Sequence, residues 1–235
     1  DSVEYTITVD GDTLRPNEEG IYAATYGTYM IKASKPDYRC YRTTLTIGDD
    51  AEGEQTCIVE MVKAGENGWD GITLTEPKYE NDVYQISNGA ELAWFAAKVN
   101  DGDYTISAKL VNDIDLCNYD WTPIGGDKSN KAYQGTFDGD GYTIDGLYIN
   151  NAKTYQGLFG YTTNSHISGV TVDGEINAKQ YVAGVVAYMG AKTYVDRCVN
   201  KATVSGTSTY VGGITGSVSQ ATAELTNSYN LGDTT

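Results

Sequence analysis

Apolar positions recur along the C-terminal two thirds of the chain with a period of about 27 to 30 residues. Three short apolar runs carry this repeat, and each follows a tyrosine by two or three positions. The runs are Gly157-Leu158-Phe159-Gly160, Gly184-Val185-Val186-Ala187 and Gly213-Ile214-Thr215-Gly216, after Tyr155, Tyr181 and Tyr210. Such self-similarity is typical of stacked repeats, in which each unit buries its apolar face only against its neighbours.

Within each repeat, β-branched and aromatic residues alternate between Gly, Asn and Asp, without apolar residues at helical spacing. Short strands joined by tight turns fit this pattern. About 28 residues suffice for three such strands, whereas a four-stranded propeller blade takes about 40 or more. The repeats therefore predict a right-handed parallel β-helix, a solenoid. Two degenerate coils precede them, around Ile144 to Ile149 and around Asp113 to Leu116.

Helical spacing occurs before these coils. Asn88 and Glu91 stand at the spacing of a capping box, and Asp101-Gly102 ends the run. The apolar positions between them are Leu92, Phe95, Ala96 and Val99. We expect one amphipathic helix that caps the N-terminal end of the solenoid. At the other end the sequence is still strand-like, which predicts a C-terminally truncated part of a longer chain.

Residues 1–63 follow a different pattern, with alternating segments separated by Gly, Asp and Pro. This spacing predicts a small antiparallel β-sandwich domain. Residues 64–82 are rich in Gly and charges, so we expect a linker or an extended lead-in, although Trp69 requires burial. Residues 83–235 then hold the capping helix and the repeats. The expected sandwich strands are Tyr5–Val9, Ile21–Ala24, Tyr29–Ala33, Tyr41–Ile47 and Cys57–Val62.

Several of these runs resemble those of bacterial surface proteins built from GLUG-type repeats. The resemblance is carried by Trp121-Thr122-Pro123-Ile124-Gly125, by the Asp-Gly-rich run from Gly135 to Ile144, and by Gly157-Leu158-Phe159-Gly160. Trp69-Asp70-Gly71 and Glu91-Leu92-Ala93 extend it over residues 69–235.

The GLUG resemblance implies a right-handed β-helix within a large secreted or wall-attached bacterial protein. Non-catalytic portions of some IgA-specific metallopeptidases are of this kind, and the His-Glu-x-x-His motif of those enzymes does not occur in this sequence. Residues 1–63 resemble, more weakly, the small sandwich modules of the PEGA or carboxypeptidase-regulatory type. Neither resemblance supplies catalytic residues.

Composition agrees with an extracellular location, on a bacterial cell surface or secreted. The chain holds 32 acidic and 16 basic residues, a formal net charge of -16, which disfavours nucleic acid and anionic membranes as partners. No apolar run approaches the length of about 18 residues that a membrane helix requires. Twenty tyrosines stand against three phenylalanines. Tyrosine suits half-exposed positions, because its ring packs while its hydroxyl stays hydrated.

The four cysteines lack the Cys-x-x-Cys spacing of a zinc or redox site. Cys40 and Cys57 share a domain. If residues 50–53 form a hairpin turn, however, the two thiols face different partners, which disfavours a disulfide. Cys198 takes the repeat position of Val170, where a small inward-facing side chain is expected.

Candidate chemistry is sparse. His166 is the single histidine, and neighbouring strand residues such as Ser165 point to opposite faces, so a Ser-His dyad is not expected. Asp138, Asp140 and Asp145 resemble part of a calcium loop that lacks the later ligands and terminal Glu of an EF-hand. An Asp-Gly turn is the favoured interpretation, with Ca²⁺ as the alternative. No cofactor is otherwise predicted.

Exposed aromatic residues on the flat sides of a solenoid are the candidate ligand-binding residues: Tyr119, Trp121, Tyr161 and Tyr188. They would stack on sugar rings or contact a host protein. Structural packing is the favoured alternative for each of them, above all for Trp121. The sequence therefore predicts a non-enzymatic, adhesive surface protein that binds a host or environmental glycan or a surface protein, as a monomer within a longer chain.

Two other functions stay open. A rigid spacer or scaffold within a larger surface protein is the alternative. A polysaccharide lyase or hydrolase is the third, for which Lys153, Lys179 and Lys192 lie at turns, although no pair of carboxylates stands out for glycoside hydrolysis.

Overall fold

The computed structural model describes residues 3–9, 12–18, 21–53, 55–65, 67–126 and 129–235. The chain divides into two compact units, residues 1–64 and 65–235. Both are built mainly of β-strands, and the described residues contain a single α-helix.

The N-terminal unit contains one four-stranded antiparallel sheet in the order β2-β1-β3-β4. Tyr29, Ile31 and Ala33 alternate along the third strand and are buried, as expected for a sheet with one covered face. Cys40 is buried beside the sheet. The strands are β1 Glu4–Val9, β2 Asp12–Thr13, β3 Gly27–Ser34 and β4 Tyr41–Ile47.

The predicted sandwich is wrong for the described residues, because they form one sheet rather than two. The segments 21–24 and 57–62 form no strands. They lie over the sheet around a cavity of about 820 Å³ that Tyr22, Val59 and Leu45 help to line. Both segments thus cover apolar surface without pairing their backbones with a second sheet, and Ile58 is left exposed.

All four cysteines lie in the described part of the chain, and none forms a disulfide. Cys198 is buried in the second unit, and burial is the main cause that raises the pKa of its thiol to about 11. The thiol is therefore kept protonated and behaves as a small apolar side chain.

The described residues of the second unit form nineteen strands, the α-helix and one 3₁₀ turn at Ser129–Lys131. The elements up to the second degenerate coil are β5 Lys78–Glu80, β6 Val83–Ile86, α1 Gly89–Asn100, β7 Ala108–Leu110, β8 Ile114–Asp115, β9 Thr136–Asp138 and β10 Thr143–Asn150. The first repeat contains β11 Thr154–Gln156, β12 Phe159–Thr162, β13 His166–Ser168 and β14 Thr171–Ala178. The second contains β15 Gln180–Ala183, β16 Val186–Met189, β17 Tyr194–Asp196, β18 Val199–Asn200 and β19 Thr203–Gly206. The third contains β20 Val211–Gly212, β21 Thr215–Val218, β22 Glu224–Thr226 and β23 Tyr229–Asn230.

Strands of successive repeats pair in parallel and in register, which produces four stacks. Two stacks have three strands each, β11-β15-β20 and β12-β16-β21. The third runs β22-β17-β13-β9-β7-β6, with β5 antiparallel at its end. The fourth runs β23-β18-β14-β10-β8, with β19 also paired to β14. Equivalent residues of neighbouring repeats therefore lie directly beside one another.

The core of the second unit consists of such equivalent residues. Phe137, Ile167 and Val195 are register partners on β9, β13 and β17 and are at most 1% exposed. Ile144 and Val172 form a second buried column, which continues as the buried Asn200 and ends at Asn230, which is exposed. Because water is excluded from these columns, the hydrophobic effect fixes the register of the repeats.

Asn200 is fully buried, and its amide replaces an apolar side chain in that column. Its Nδ2 donates to the carbonyl of Ala202 at 2.9 Å and to Oδ1 of Asn230 at 2.8 Å. Its Oδ1 accepts from the N–H of Ala202 at 3.2 Å. The polar atoms of the side chain are thereby hydrogen-bonded, as a buried amide requires, and they in turn hold the backbone of Ala202 after β18.

Helix α1 begins as the sequence predicts and closes the start of the core. Asn88 is the N-cap, and its Oδ1 accepts from the N–H of Glu91. The Glu91 carboxylate accepts from the N–H and hydroxyl of Ser87, one residue before the cap. The apolar face is buried, and the Phe95 ring lies 6.1 Å from Tyr133 and 6.2 Å from Phe137.

The segment 67–82 is part of the second unit. Trp69 is buried, its Nε1 donates to the carbonyl of Thr73, and Gly68 forms a bridge with Asp115. Gly89, the first residue of α1, allows the Trp69 side chain to approach closely, since a Cβ there would meet it at 2.6 Å. The segment is therefore an extended lead-in held by contacts rather than a free linker.

Candidate functional site

The four aromatic residues predicted to bind ligand fall into two groups. Trp121 and Tyr119 pack on Trp69, with ring centroids 6.0 and 6.4 Å apart. Trp121 is buried, and its Nε1 donates to the carbonyl of Leu158 at 3.3 Å. The expected exposure of Trp121 is therefore wrong, and its ring packs against Trp69 of the lead-in segment.

Tyr161 and Tyr188 form the second group and lie together. They are register partners on β12 and β16, are half-buried, and have ring centroids 4.4 Å apart. Burial, and after it the neighbouring Tyr188 hydroxyl, raise the pKa of Tyr161 to about 12. The phenol of Tyr161 is thus neutral at physiological pH.

A second column of tyrosines runs beside this pair. Tyr155, Tyr181 and Tyr210 stack face to face, with centroids 4.7 and 4.6 Å apart and interplanar angles of 2°. Each lies two or three residues before the apolar run of its repeat. The repeated position in sequence thereby becomes a continuous stack of rings.

The backbone at these three tyrosines is left-handed, with φ values of 59°, 51° and 68°. Bulky residues rarely adopt this conformation, which costs of order 1–3 kcal/mol when it is imposed. In the first repeat, the buried Gln156 side chain supports this conformation by donating to the carbonyls of Thr154 and Tyr155. The same unusual conformation is reproduced in every repeat that carries the tyrosine.

The two columns interlock. The Tyr188 ring meets Tyr155 and Tyr181 edge-on, with centroid distances of 5.6 and 5.4 Å and interplanar angles of 81° and 79°. Edge-to-face contact is a favourable geometry for aromatic pairs. We call the five residues Tyr155, Tyr161, Tyr181, Tyr188 and Tyr210 the tyrosine face.

The tyrosine face is partly accessible to solvent. Four of its members are half-buried, and Tyr210 is 52% exposed. Polar groups lie at its border, where Gln180 Nε2 donates to Thr209 Oγ1 at 2.9 Å. Aromatic faces beside hydroxyls and an amide can bind ligands that combine apolar C–H groups with hydrogen-bonding groups, by stacking and by hydrogen bonds.

The three aspartates of the predicted calcium loop do not form a site together. Asp138 Oδ1 accepts from the N–H of Asp140, and the Asp140 carboxylate pairs with Lys109 Nζ at 2.9 Å. Asp145 lies on β10, where its register partner is Asp115. Among the described residues no cluster of three acidic, Cys or His side chains is arranged for a metal. The φ of 49° at Asp140 is left-handed, as an Asp-Gly turn requires, and agrees with the favoured interpretation of this run as a turn.

Ser165 and His166 point in different directions. Ser165 is buried and its Oγ has no hydrogen-bond partner, whereas His166 is exposed beside Tyr194, with ring centroids 6.4 Å apart. The histidine therefore has no geometry for activating the serine. No helix of the described residues has the length and apolar character needed to cross a membrane.

The residues missed at the sequence level are Tyr155, Tyr181 and Tyr210. Their signal was the repeat itself, because a residue that recurs at one repeat position stacks on its equivalents once the strands pair in register. Tyr161 and Tyr188, 27 residues apart, follow the same rule.

Comparison with known proteins gives a likeness of fold. No family model matches the chain, and no curated protein matches it. The chain is similar to the crystal structure of a "putative immunoglobulin A1 protease from Bacteroides ovatus", with a TM-score of 0.51 and 18% identity. The match covers 68% of this chain and 60% of that one. At this identity the likeness concerns the fold alone, and no activity is carried across.

Proposed function

We propose that this chain belongs to an extracellular bacterial surface protein and that its tyrosine face binds a neutral glycan. The repeats are then a right-handed parallel β-helix of the GLUG type, which presents the rings on one side. In-register parallel pairing at a period of 27 to 30 residues supports this architecture. The observation that carries the function is the pair of interlocked, partly exposed tyrosine columns.

The backbone conformation supports a role beyond folding. Glycine would adopt the left-handed turn at residues 155, 181 and 210 without strain, yet a tyrosine stands at each. Ring stacking offsets part of the cost, since aromatic pairs contribute about 0.5–1.5 kcal/mol each. Bulky residues in a left-handed backbone conformation are concentrated at functional sites, so these tyrosines support a binding role.

Charge and ring chemistry indicate the class of ligand. A net charge of -16 repels anionic ligands over the protein as a whole. The faces of tyrosine rings carry partial negative charge and attract the polarised C–H groups of a pyranose. The hydroxyls and the Gln180 amide supply hydrogen bonds to sugar hydroxyls. A neutral host or environmental glycan combines these properties.

The test is binding of the 235-residue chain to an array of neutral and anionic glycans, followed by calorimetry on the hits. We expect weak binding of neutral glycans, with Kd between about 10 μM and 1 mM. Tyr181→Gly removes a central ring while relaxing its backbone, and it should weaken binding at least tenfold. Tyr194→Ala is the matched control, because Tyr194 is exposed on β17 outside the tyrosine face. Absence of binding, or equal losses in both variants, would overturn the proposal.

A rigid spacer is the second candidate function. It is favoured by the contacts that link successive repeats, namely the stack of Tyr155, Tyr181 and Tyr210 and the hydrogen bond between Asn200 and Asn230. Such contacts resist bending because each repeat is held by its neighbours at several positions. A protein that binds nothing on the array but scatters as a stiff, elongated particle would favour the spacer. For a lyase or hydrolase, the exposed Lys153, Lys179 and Lys192 add no supporting geometry.

A further inference from the structure

One column of the tyrosine face stops short of the third repeat. Tyr161 on β12 pairs in register with Tyr188 on β16, and Tyr188 pairs with Ser217 on β21. The neighbouring column does continue, because Tyr210 stacks on Tyr181 as Tyr181 stacks on Tyr155. A serine therefore stands where the repeat provides a tyrosine in the two preceding strands.

The geometry of the earlier repeat shows what a tyrosine at position 217 would contact. Tyr188 lies edge-on to Tyr155 and Tyr181, the two rings that flank it in the other column. Shifted by one repeat, a ring at position 217 would lie edge-on to Tyr181 and Tyr210 and against Tyr188. Serine lacks this ring, so we infer an open volume beside the three rings and call it the recess, defined by Tyr181, Tyr188, Tyr210 and Ser217.

The walls of this recess are held in place. Gly216 permits close approach of its strand, since a Cβ there would meet the Tyr210 carbonyl oxygen at 2.7 Å and the Ala187 carbonyl oxygen at 2.8 Å. Ser217 is register partner to Tyr188, so its position relative to that ring is fixed by the β16-β21 pairing. A pre-formed recess binds a ligand without the entropy cost of ordering loops.

Resting on the proposed function, we propose that the recess binds one pyranose unit of the neutral glycan. A pyranose is a six-membered ring of about the size of the missing phenol. Its C–H face fits against Tyr188 and the Tyr181–Tyr210 side, while its hydroxyls meet the Ser217 hydroxyl and solvent. An aromatic wall on two sides with a polar floor is a recurrent design of small-molecule sites.

The decisive variant is Ser217→Tyr, which fills the recess with the ring that the repeat itself would provide. Because the added ring completes the column, the variant should fold, with a Tm equal to or above that of the wild type. Glycan affinity should fall at least tenfold. Thr203→Tyr is the matched control, since Thr203 is exposed on β19, outside the tyrosine face, and its affinity should stay within about twofold of the wild type.

Two further measurements keep the outcomes distinct. Tyr210→Gly removes one wall and should also weaken binding tenfold, and the ultraviolet difference spectrum of tyrosine on adding glycan should vanish in Ser217→Tyr. If the wild type binds and Tyr181→Gly does not, but Ser217→Tyr binds normally, the recess is wrong while the proposed function stands. If the wild type binds no glycan, the proposed function fails and the recess with it.

Discussion

The interior of the repeats and the tyrosine face use the same register in different ways. Inside, Phe137, Ile167 and Val195 follow one another at most 1% exposed, so the exclusion of water holds the column together. Outside, the half-buried Tyr155 and Tyr181 and the 52% exposed Tyr210 stack on one another, with ring centroids 4.7 and 4.6 Å apart. Contacts between half-exposed rings contribute less than burial does.

This difference separates residues that the fold requires from residues that it tolerates. An interior residue has no substitute that preserves both volume and apolarity, except close isosteres. Three members of the tyrosine face, Tyr155, Tyr181 and Tyr210, have a left-handed backbone, for which glycine is the more relaxed choice. We therefore expect interior changes to unfold the protein and changes on the tyrosine face to leave it folded but altered in binding.

The largest effect is expected from Phe159→Ala. Phe159 is fully buried and packs on Tyr133 and Phe137 with centroid distances of 5.3 and 5.2 Å. Loss of this ring should lower the free energy of unfolding by about 3–5 kcal/mol, since a cavity is added to the lost transfer free energy. Urea denaturation followed by circular dichroism measures it, with Phe159→Leu as the milder control. A loss below about 1 kcal/mol would contradict the interior role.

Asn200→Ala should lower the free energy of unfolding by a smaller amount, about 1–3 kcal/mol. The change removes the side-chain partner of both polar backbone groups of Ala202 and the link to Asn230. Asn200→Val separates the two contributions, because Val172 occupies the equivalent position one repeat earlier and valine restores much of the volume. If Asn200→Val is as stable as the wild type, packing rather than hydrogen bonding holds this position.

Tyr181→Ala should cost about 1–2 kcal/mol, because it removes ring contacts to Tyr155, Tyr188 and Tyr210. Compared with Tyr181→Ala, the variant Tyr181→Gly should be equally stable or more stable by up to about 1 kcal/mol, since glycine relieves the left-handed backbone. This order is the reverse of that for most extended segments, where glycine is the worse residue. Thermal unfolding of the two variants, measured side by side, gives their order of stability. A clearly less stable glycine variant would remove the argument from backbone strain.

The smallest effect concerns alkaline pH. The folded state raises the pKa of Tyr161 from 10.0 to about 12, so it favours the neutral phenol. The resulting stability is fully present below pH 10 and is lost as the pH rises from 10 to 12. Tyr161→Phe lacks this dependence. The free energy of unfolding of the wild type should therefore fall relative to that of the variant between about pH 9 and pH 11.5. Parallel pH profiles in urea denaturation would show that Tyr161 is not shielded.

Much of the fold could be predicted from the sequence, since apolar periodicity reports directly on burial. The capping spacing of Asn88 and Glu91 placed helix α1. The N-terminal unit was harder, because Ile21–Ala24 and Cys57–Val62 alternate like strands yet cover apolar surface without forming strands. Alternation reveals which residues face inward but not whether the backbone finds a partner strand.

The candidate site was predicted in part. Tyr161 and Tyr188 lie together, whereas Trp121 is buried by Trp69, a residue more than fifty positions earlier in the chain. A long-range contact of this kind leaves no trace in local patterns. The stack of Tyr155, Tyr181 and Tyr210 did leave one, because equivalence in sequence and parallel register together imply ring contact.

Because the strands pair in parallel and in register, the stack of repeats can be shortened or lengthened by one whole repeat at a time. Val186 takes the place of Phe159 one repeat later, and Thr215 that of Val186. Removal of residues 159–185 would join Leu158 to Val186 and still offer each remaining strand an equivalent neighbour. Duplication of the same stretch would extend the stack by about 4.8 Å and add one more tyrosine to each column. Duplication within the gene can thus lengthen the tyrosine face without adding a new kind of contact.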